Sequence, residues 1–447
     1  MAADESMLAR LRRRALWATP ITLLVAYLVS WAIVLWPNPD TQIVQTDFVI
    51  VLTGAKMIGA GDGHHLYELP AQLAAQKAIR TPFMGDEGAQ LLPYNHPPFE
   101  ALLIAPLAGL PYWLQYFLWV GLLVLALYWS LRLLYRTLPL PAAGRAGFAL
   151  ALACISFWPV FRSLRLGQNS PLLLLGMCGV YAAARRGNDR LAGLYLLLVA
   201  LKPQILPLVI LALLVTGRWR SVAWFAGVLA IVCIAIMPLL GAQWPLQYGD
   251  MLLKSVSGSG VVGIHPEIMH SWRGFATDLV GWAAPWLVTP LYVLLVAATL
   301  GLLGLVWWRV RHVVLARPEP AAGSPDLDGQ GAQLRPAFDM FWALVGLAAV
   351  LVSPHLNPHD LTLLIFPAWI IAAYVINGRT LAVPANRWLT LLGAYFLLLS
   401  VGLSVLGDLP TVLLSVPVLA VALVWLVREA LHGSMELSSP VSSGVTL

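Results

Sequence analysis

The segment from Ala15 to Trp36 is predominantly apolar, long enough to cross a bilayer, and preceded by the basic cluster Arg10, Arg12, Arg13 and Arg14. Comparable segments recur along the chain, separated by basic or Pro-rich breaks. Hydrocarbon offers no water to backbone N–H and C=O groups, so such segments are expected to close their hydrogen bonds internally as helices. With 60% hydrophobic and only 11% charged residues among 447, the chain reads as an all-α polytopic membrane protein. No small-residue cleavage site follows the first segment, which is therefore expected to remain as helix one.

A formal charge of +6 raises the question of a nucleic-acid partner, but the basic residues sit in short clusters at the ends of apolar segments. That placement is the signature of the positive-inside rule, so the charge reports topology and no nucleic acid is expected. Cys154, Cys178 and Cys233 lie inside apolar runs without paired or metal-ligand spacing and read as packing residues.

With Arg12 to Arg14 inside, helix one delivers Asp47 to the outer side. The mixed stretch to Asn95 offers two short helices, "DFVIVLTGAKMIGAG" and "PAQLAAQKAIR", expected to lie along the outer interface. Further on, "LAGLYLLLVALKPQILPLVILALLVTGRWR" has a Lys-Pro break at its centre and basic residues on both flanks. Proline interrupts the helical ladder, so the segment reads as a hairpin with Lys202 to Gln204 at its tip; a single kinked span is the competing reading. The hairpin keeps "WWRVRH", "NGR" and "VREA" on the inner side. The expected layout is a basic cytoplasmic N-terminus at 1–14, a membrane core at 15–308 with outer loops 37–96 and 241–280, a disordered cytoplasmic linker at 309–337, transmembrane helices at 338–430 and a disordered cytoplasmic tail at 431–447. Counting short Pro-bounded helices as packed spans brings the total to about 12.

On this frame Asp47, Asn95, His96, Gln168, Asn169, Lys202, Gln204, Arg273, His355, Asn357, His359 and Asp360 all fall on the outer side. Ionisable groups near membrane depth are costly unless they pair or line a cavity, so their common side points to one extracytoplasmic cavity. A carboxylate can accept a proton from a hydroxyl nucleophile, and cations can hold a departing phosphate. Those are the two requirements of glycosyl transfer from a lipid phosphate sugar.

The Asp47-Phe48 pair, "GDGHHLYEL", "YNHPPFEALLIAPLAGLP", "LGQNSPLLLL", "RLAGLYLLLVALKPQILPL", "MHSWRGF" and "SPHLNPHDLTLLIFPAW" occur in the order seen in glycosyltransferase family 87. The chain resembles that family from helix one to about residue 375, and several motifs in one order are more specific than any one alone. The resemblance implies a GT-C type bundle, a polyprenyl-phosphate sugar donor, a lipid or glycan acceptor and no other cofactor. It implies a bacterial inner-membrane location with the site facing the periplasm or exterior. It also implies Asp47 as general base with inversion, most readily of mannose. Lys202, Arg273, His355 and His359 become candidates for the donor phosphate, while Gln168, Asn169, Asn95 and Asp360 would position sugar hydroxyls or brace the cavity. This chain departs from the family in carrying His96 where a Tyr commonly precedes the two prolines, and in flanking the 353–360 turn with two histidines.

Other readings of the same residues stand beside these. Asp47 before an apolar run is also a good helix cap, and Asp62 in "GDG" suits a tight turn. Asp47 and Asp62 are too far apart for a metal-binding carboxylate pair, and Pro358 between His355 and His359 argues against a helical metal site. Arg162 and Arg165 on the outer side depart from the positive-inside pattern. The alternative function is a transporter or flippase of a lipid-linked sugar, since broken helices and midplane ionisable groups also mark transport sites. A transporter should carry internal halves with corresponding breaks, which the sequence does not display. A scaffold without chemistry would leave the outer polar cluster unexplained.

Overall fold

A computed structural model describes residues 7–36, 38–85, 91–138, 140, 145–257, 265–315, 335–403 and 408–436. The described residues form helices and connecting turns, without a strand. In chain order the helices begin with α1 (Met7–Leu35), α2 (Pro39–Ile43), α3 (Phe48–Gly59), α4 (Leu69–Met84), α5 (Pro98–Ile104) and α6 (Tyr112–Thr137). They continue with α7 (Arg145–Ile155), α8 (Trp158–Leu166), α9 (Ser170–Arg185), α10 (Asp189–Val199), α11 (Leu206–Val215), α12 (Trp219–Leu240) and α13 (Trp244–Ser257). The remainder are α14 (Trp272–Val280), α15 (Pro285–Leu315), α16 (Pro336–Val352), α17 (Ile365–Ile376), α18 (Ala385–Leu397) and α19 (Asp408–Glu436).

Among the described residues, 6 helical segments are long and apolar enough to cross a membrane, or 7 when α7 and α8, bent by 47° at their junction, count as one broken span. Shorter apolar helices, including α9, α11 and α16, pack between them. The protein is therefore an all-α, multi-pass membrane protein. Residues 309–315 continue α15, 335–337 lead into and begin α16, and residues 431–436 continue α19, so these parts of the expected linker and tail are structured; 316–334 and 437–447 lie outside the described residues.

The molecule has two chemically distinct ends. Arg218 Nη1 lies 3.5 Å from Asp189 Oδ1, and Ser221 Oγ donates to the same oxygen at 2.8 Å. The start of α10 therefore meets the end of α11, whereas one continuous kinked span would separate them by roughly 40 Å. The Lys-Pro segment is a hairpin. Its two helices have 11 and 10 residues, a rise of about 16 Å each, too short for either one to cross a hydrocarbon layer about 30 Å thick by itself. Arg186 of α9 reaches Thr137 at the end of α6, and Trp307 Nε1 of α15 donates to the carbonyl of Val215 at the end of α11. These contacts gather Arg185, Arg186, Arg190 and Arg218 at one end.

The basic end is tied by a buried ionic cluster. Asp339 on α16 is fully buried and accepts from Arg185 Nε at 2.8 Å, Tyr181 OH at 2.7 Å and Tyr374 OH at 2.9 Å. One carboxylate thus joins α9, α16 and α17, and its surroundings satisfy both oxygens with charged and phenolic donors.

The first outer segment differs from its expected interfacial placement. Helix α3 buries residues around its whole circumference, Phe48, Val49, Val51, Leu52, Thr53, Gly54 and Ala55 among them, which is the pattern of a core helix rather than one lying on lipid. Helix α4 buries a polar face. Gln72 accepts from Tyr94 N at 2.8 Å and donates to the Leu66 carbonyl, while Gln76 accepts from Leu92 N at 3.0 Å. Two side-chain amides thereby satisfy the extended backbone at 92–94, which has no ladder of its own.

Asp339→Ala leaves the Arg185 guanidinium buried without its carboxylate, and is expected to lower stability by about 3 kcal/mol. Thermal unfolding of the purified protein in detergent measures it; an unchanged midpoint would show that the cluster holds nothing together.

Candidate active site

Helix α8 ends at Gly167, whose φ of +70° is the left-handed conformation that terminates a helix. A Cβ added there would lie 2.8 Å from the Cβ of Phe48. Glycine is therefore required twice, for the turn and for the approach of the residue next to Asp47. Trp119 Nε1 donates to the Gly167 carbonyl at 2.8 Å and Tyr116 OH to the Arg165 carbonyl at 2.7 Å, so the first turns of α6 hold this corner in place.

The next three side chains each donate to a different carboxylate. Gln168 Nε2 donates to Asp47 Oδ2, Asn169 Nδ2 to Glu100 Oε1, and Ser170 Oγ to Asp360 Oδ1, each at 2.8 Å. The acceptors come from the segment before α3, from α5 and from the turn before α17, far apart in sequence. Ordering three carboxylates on one short turn requires neutral donors and nearby cations, and the structure supplies both.

Asp47 sits at the start of α3 but its side chain makes no capping hydrogen bond. The cap reading is thereby overturned: the carboxylate is directed to Gln168 instead of its own helix. Burial raises the Asp47 pKa above the ordinary carboxylate range, opposed by the Gln168 hydrogen bond and by the charges of Arg162, Lys202 and His96. Asp62, by contrast, lies on an exposed turn, where its Oδ1 is 2.6 Å from His65 Nδ1.

Lys202 and His359 stand beside Asp360. Lys202 Nζ, at the hairpin tip, is 3.3 Å from Asp360 Oδ1, and His359 Nε2 is 3.6 Å from the same atom. The backbone N–H of Asn357 donates to Asp360 Oδ2 at 3.2 Å. Residues 358–364 form a 3-10 helix, so His355 and His359 do not share the face of a regular α-helix. His355 is partly exposed, and its carbonyl accepts from Ser353 Oγ at 2.8 Å and Gln204 Nε2 at 3.1 Å. Burial and then the Lys202 charge push the His355 pKa down to about 4, with Arg273 and His96 acting in the same direction and Asp360 against them. His355 is accordingly neutral at pH 7 and meets an anion as an N–H donor rather than as a cation. Arg273 Nη1 donates to the Pro354 carbonyl at 3.0 Å, placing its guanidinium at this same turn. Asn95 is partly buried between Tyr94 and His96, at the edge of the group.

The structure thus brings Asp47, Gln168, Asn169, Lys202, Arg273, His355, His359 and Asp360 to one end of the bundle. It also adds Glu100, which the sequence reading did not single out, as a partner of His96. Glu100 is fully buried and hydrogen-bonded to His96 Nδ1 as well as to Asn169. A carboxylate within the apolar run "FEALLIAPLAGL" was the available signal, because an ionisable group in such a run is a functional candidate by default. Among the described residues, no three His, Cys, Asp or Glu side chains are grouped as a metal site.

An all-helical membrane bundle that gathers three carboxylates and a lysine around one turn is the setting of an integral membrane enzyme or carrier. The chain belongs to glycosyltransferase family 87, whose family model matches residues 94–324. That span contains Glu100, Gln168, Asn169, Lys202 and Arg273. The chain is 29% identical over 223 residues to a polyprenol-phosphate-mannose-dependent alpha-(1-2)-phosphatidylinositol pentamannoside mannosyltransferase of Mycolicibacterium smegmatis, covering 49% of this chain and 51% of the relative. The protein of the same description from Mycobacterium tuberculosis is 28% identical over 221 residues, 48% of this chain and 49% of the relative. The chain spans about half the length of the curated relatives it matches. No solved structure matches it.

Gly167→Ala introduces a Cβ in a left-handed residue, at a cost of about 1–2 kcal/mol, and drives it into Phe48. The expected outcome is an unfolding midpoint lowered by several degrees, measured by thermal unfolding in detergent; an unchanged midpoint would mean that the Phe48–Gly167 contact is loose enough to absorb a methyl group.

Proposed function

We propose that the protein transfers mannose from a polyprenyl-phosphate donor to a lipid or glycan acceptor on the extracytoplasmic face of a bacterial inner membrane, with inversion. Family membership and the activity of the two mycobacterial relatives support the reaction class. The observation that carries the mechanism is the pairing on one turn: Gln168 holds Asp47, and Ser170 holds the Asp360 that pairs with Lys202. Residues 168 and 170 lie at most about 7 Å apart along the backbone, so one short turn holds both the base and the carboxylate that aligns the cation.

In this mechanism Asp47 accepts the proton of the acceptor hydroxyl as its oxygen attacks the anomeric carbon. The bond from that carbon to the phosphate oxygen breaks, and polyprenyl phosphate leaves with the electron pair. Lys202 and Arg273 stabilise the charge that builds on the departing phosphate, and His355 or His359 adds an N–H donor. Asp360 aligns Lys202, while Gln168, Asn169 and Asn95 position sugar hydroxyls or brace the cavity. Helix α9 rises about 24 Å from the basic end to this turn, which suits a lipid donor whose phosphate lies near the far boundary of the hydrocarbon layer. The short packed helices complete a GT-C type bundle of about 12 membrane-embedded helices.

Asp47→Asn is expected to reduce transfer of labelled mannose from polyprenyl-phosphate mannose by about a thousandfold while leaving donor binding intact. Equal turnover by the variant removes Asp47 from the chemistry. Donor binding without transfer by the wild type, across a panel of donors and acceptors, would favour the carrier reading.

Because the base must be ionised, activity should rise with pH through the raised pKa of Asp47, placing the acidic limb above the ordinary carboxylate range. Gln168→Leu removes a hydrogen bond that favours the carboxylate, so it should move that limb further up. A downward or absent shift in the kcat/KM profile contradicts the assignment.

A further inference from the structure

At the basic end, on the side of the bundle away from the proposed reaction, a cleft of about 530 Å³ is lined by Arg186, Asn188, Asp189, Arg190, Arg220 and Trp224. Its only lining carboxylate is already engaged, with Asp189 Oδ1 accepting from Ser221 Oγ at 2.8 Å and lying 3.5 Å from Arg218 Nη1. The cleft therefore carries a net positive charge. Arg190 lies over the Trp224 ring at 5.1 Å and Arg220 over the Trp219 ring at 5.6 Å, so two of the guanidinium groups are held against indole faces.

A second groove of about 390 Å³ shares Arg220 and Trp224 with this cleft and continues along α12 past Ala223, Gly227, Val228 and Ile231. Trp219, Trp224 and Ile231 are exposed along it. Gly227 leaves open space where a side chain would stand. A cationic cleft running without interruption into an apolar channel parallel to a membrane-crossing helix matches one kind of molecule, with an anionic head and a hydrocarbon tail.

We propose that this surface binds an anionic membrane phospholipid, with its phosphate among Arg186, Arg190 and Arg220 and one acyl chain in the α12 groove. Charge complementarity selects the head, because basic pockets between membrane helices on the positive side hold anionic headgroups. The groove selects a lipid over a free phosphate or a soluble nucleotide, neither of which would cover Ile231 and the Gly227 channel. The trp-flanked position suits the bilayer interface, where indoles sit at headgroup depth. The site does not depend on the proposed transfer chemistry, which lies at the opposite ends of α9 and α10.

The test is native mass spectrometry of the full-length protein in detergent, titrated in turn with phosphatidylglycerol, phosphatidylcholine of the same acyl chains, and polyprenyl phosphate. Two variants accompany the wild type: Arg186→Gln/Arg190→Gln/Arg220→Gln, and Gly227→Phe, which fills the groove and keeps every charge. The expected result is retention of one phosphatidylglycerol by the wild type, weakened on the order of a hundredfold by the triple substitution and also weakened by Gly227→Phe. Phosphatidylcholine should bind far more weakly. Should the triple variant fail to fold, Gly227→Phe alone decides, since it adds a helix-compatible residue at an open position. Equal retention by the wild type and Gly227→Phe overturns the groove, equal binding of the zwitterionic lipid overturns the headgroup assignment, and stronger retention of polyprenyl phosphate at this site overturns the choice of a phospholipid.

Discussion

The turn Gln168-Asn169-Ser170 is the constraint on which the functional end of the molecule depends. Three consecutive neutral donors meet Asp47, Glu100 and Asp360, carboxylates that reach the turn from three separate parts of the chain. Buried carboxylates brought this close would repel one another and favour protonation unless each had its own donor and a share of cationic field. Lys202 at the hairpin tip supplies that field beside Asp360, and His96 adds a hydrogen bond to Glu100. The turn is itself held by aromatic donors from α6 and by the bare backbone of Gly167 against Phe48.

The opposite end works by a different logic. Asp339, Arg185, Tyr181 and Tyr374 form a closed cluster with both carboxylate oxygens satisfied, and it joins the same helices, α9, α16 and α17, whose other ends reach the polar turn. A cluster with all its groups satisfied serves as a fixed point. Unlike that cluster, the turn at 353–360 keeps His355 Nδ1 and His359 Nε2 buried without hydrogen-bond partners. Such atoms are tolerated where a ligand or water can reach them. One end of the bundle thus anchors the helices, and the other leaves donors available.

Legibility in the sequence followed the physical range of each interaction. Helices and their basic ends are local properties of apolar length and flanking charge, and they could be read directly. The Lys202-Pro203 break marked the hairpin because proline acts on its own helix. Asp47 could be placed near the membrane boundary, but its competing use as a helix cap could not be dismissed from "TD" alone; that depended on where Gln168, 121 positions later, would lie. Glu100 was hidden among apolar neighbours because its partners, His96 and Asn169, make sense of it only after folding. The inward polar face of α4 was equally hidden, since glutamines spaced at a helical period look solvent-facing until the extended backbone at 92–94 is seen to need them.

By itself, the sequence determined that this chain forms helices in a membrane, that basic clusters flank its apolar segments, and that an order of motifs ties it to glycosyltransferase family 87. Those properties rest on hydrophobic transfer and local backbone chemistry, which act over a few residues. Tertiary structure alone decided that Asp47, Glu100 and the Lys202-paired Asp360 take their donors from one turn, and that the arginines at the ends of α9, α10 and α12 frame a cleft. Each of these requires side chains from distant segments to share one desolvated place, and the cost of burying their charges is met only when all of them arrive together.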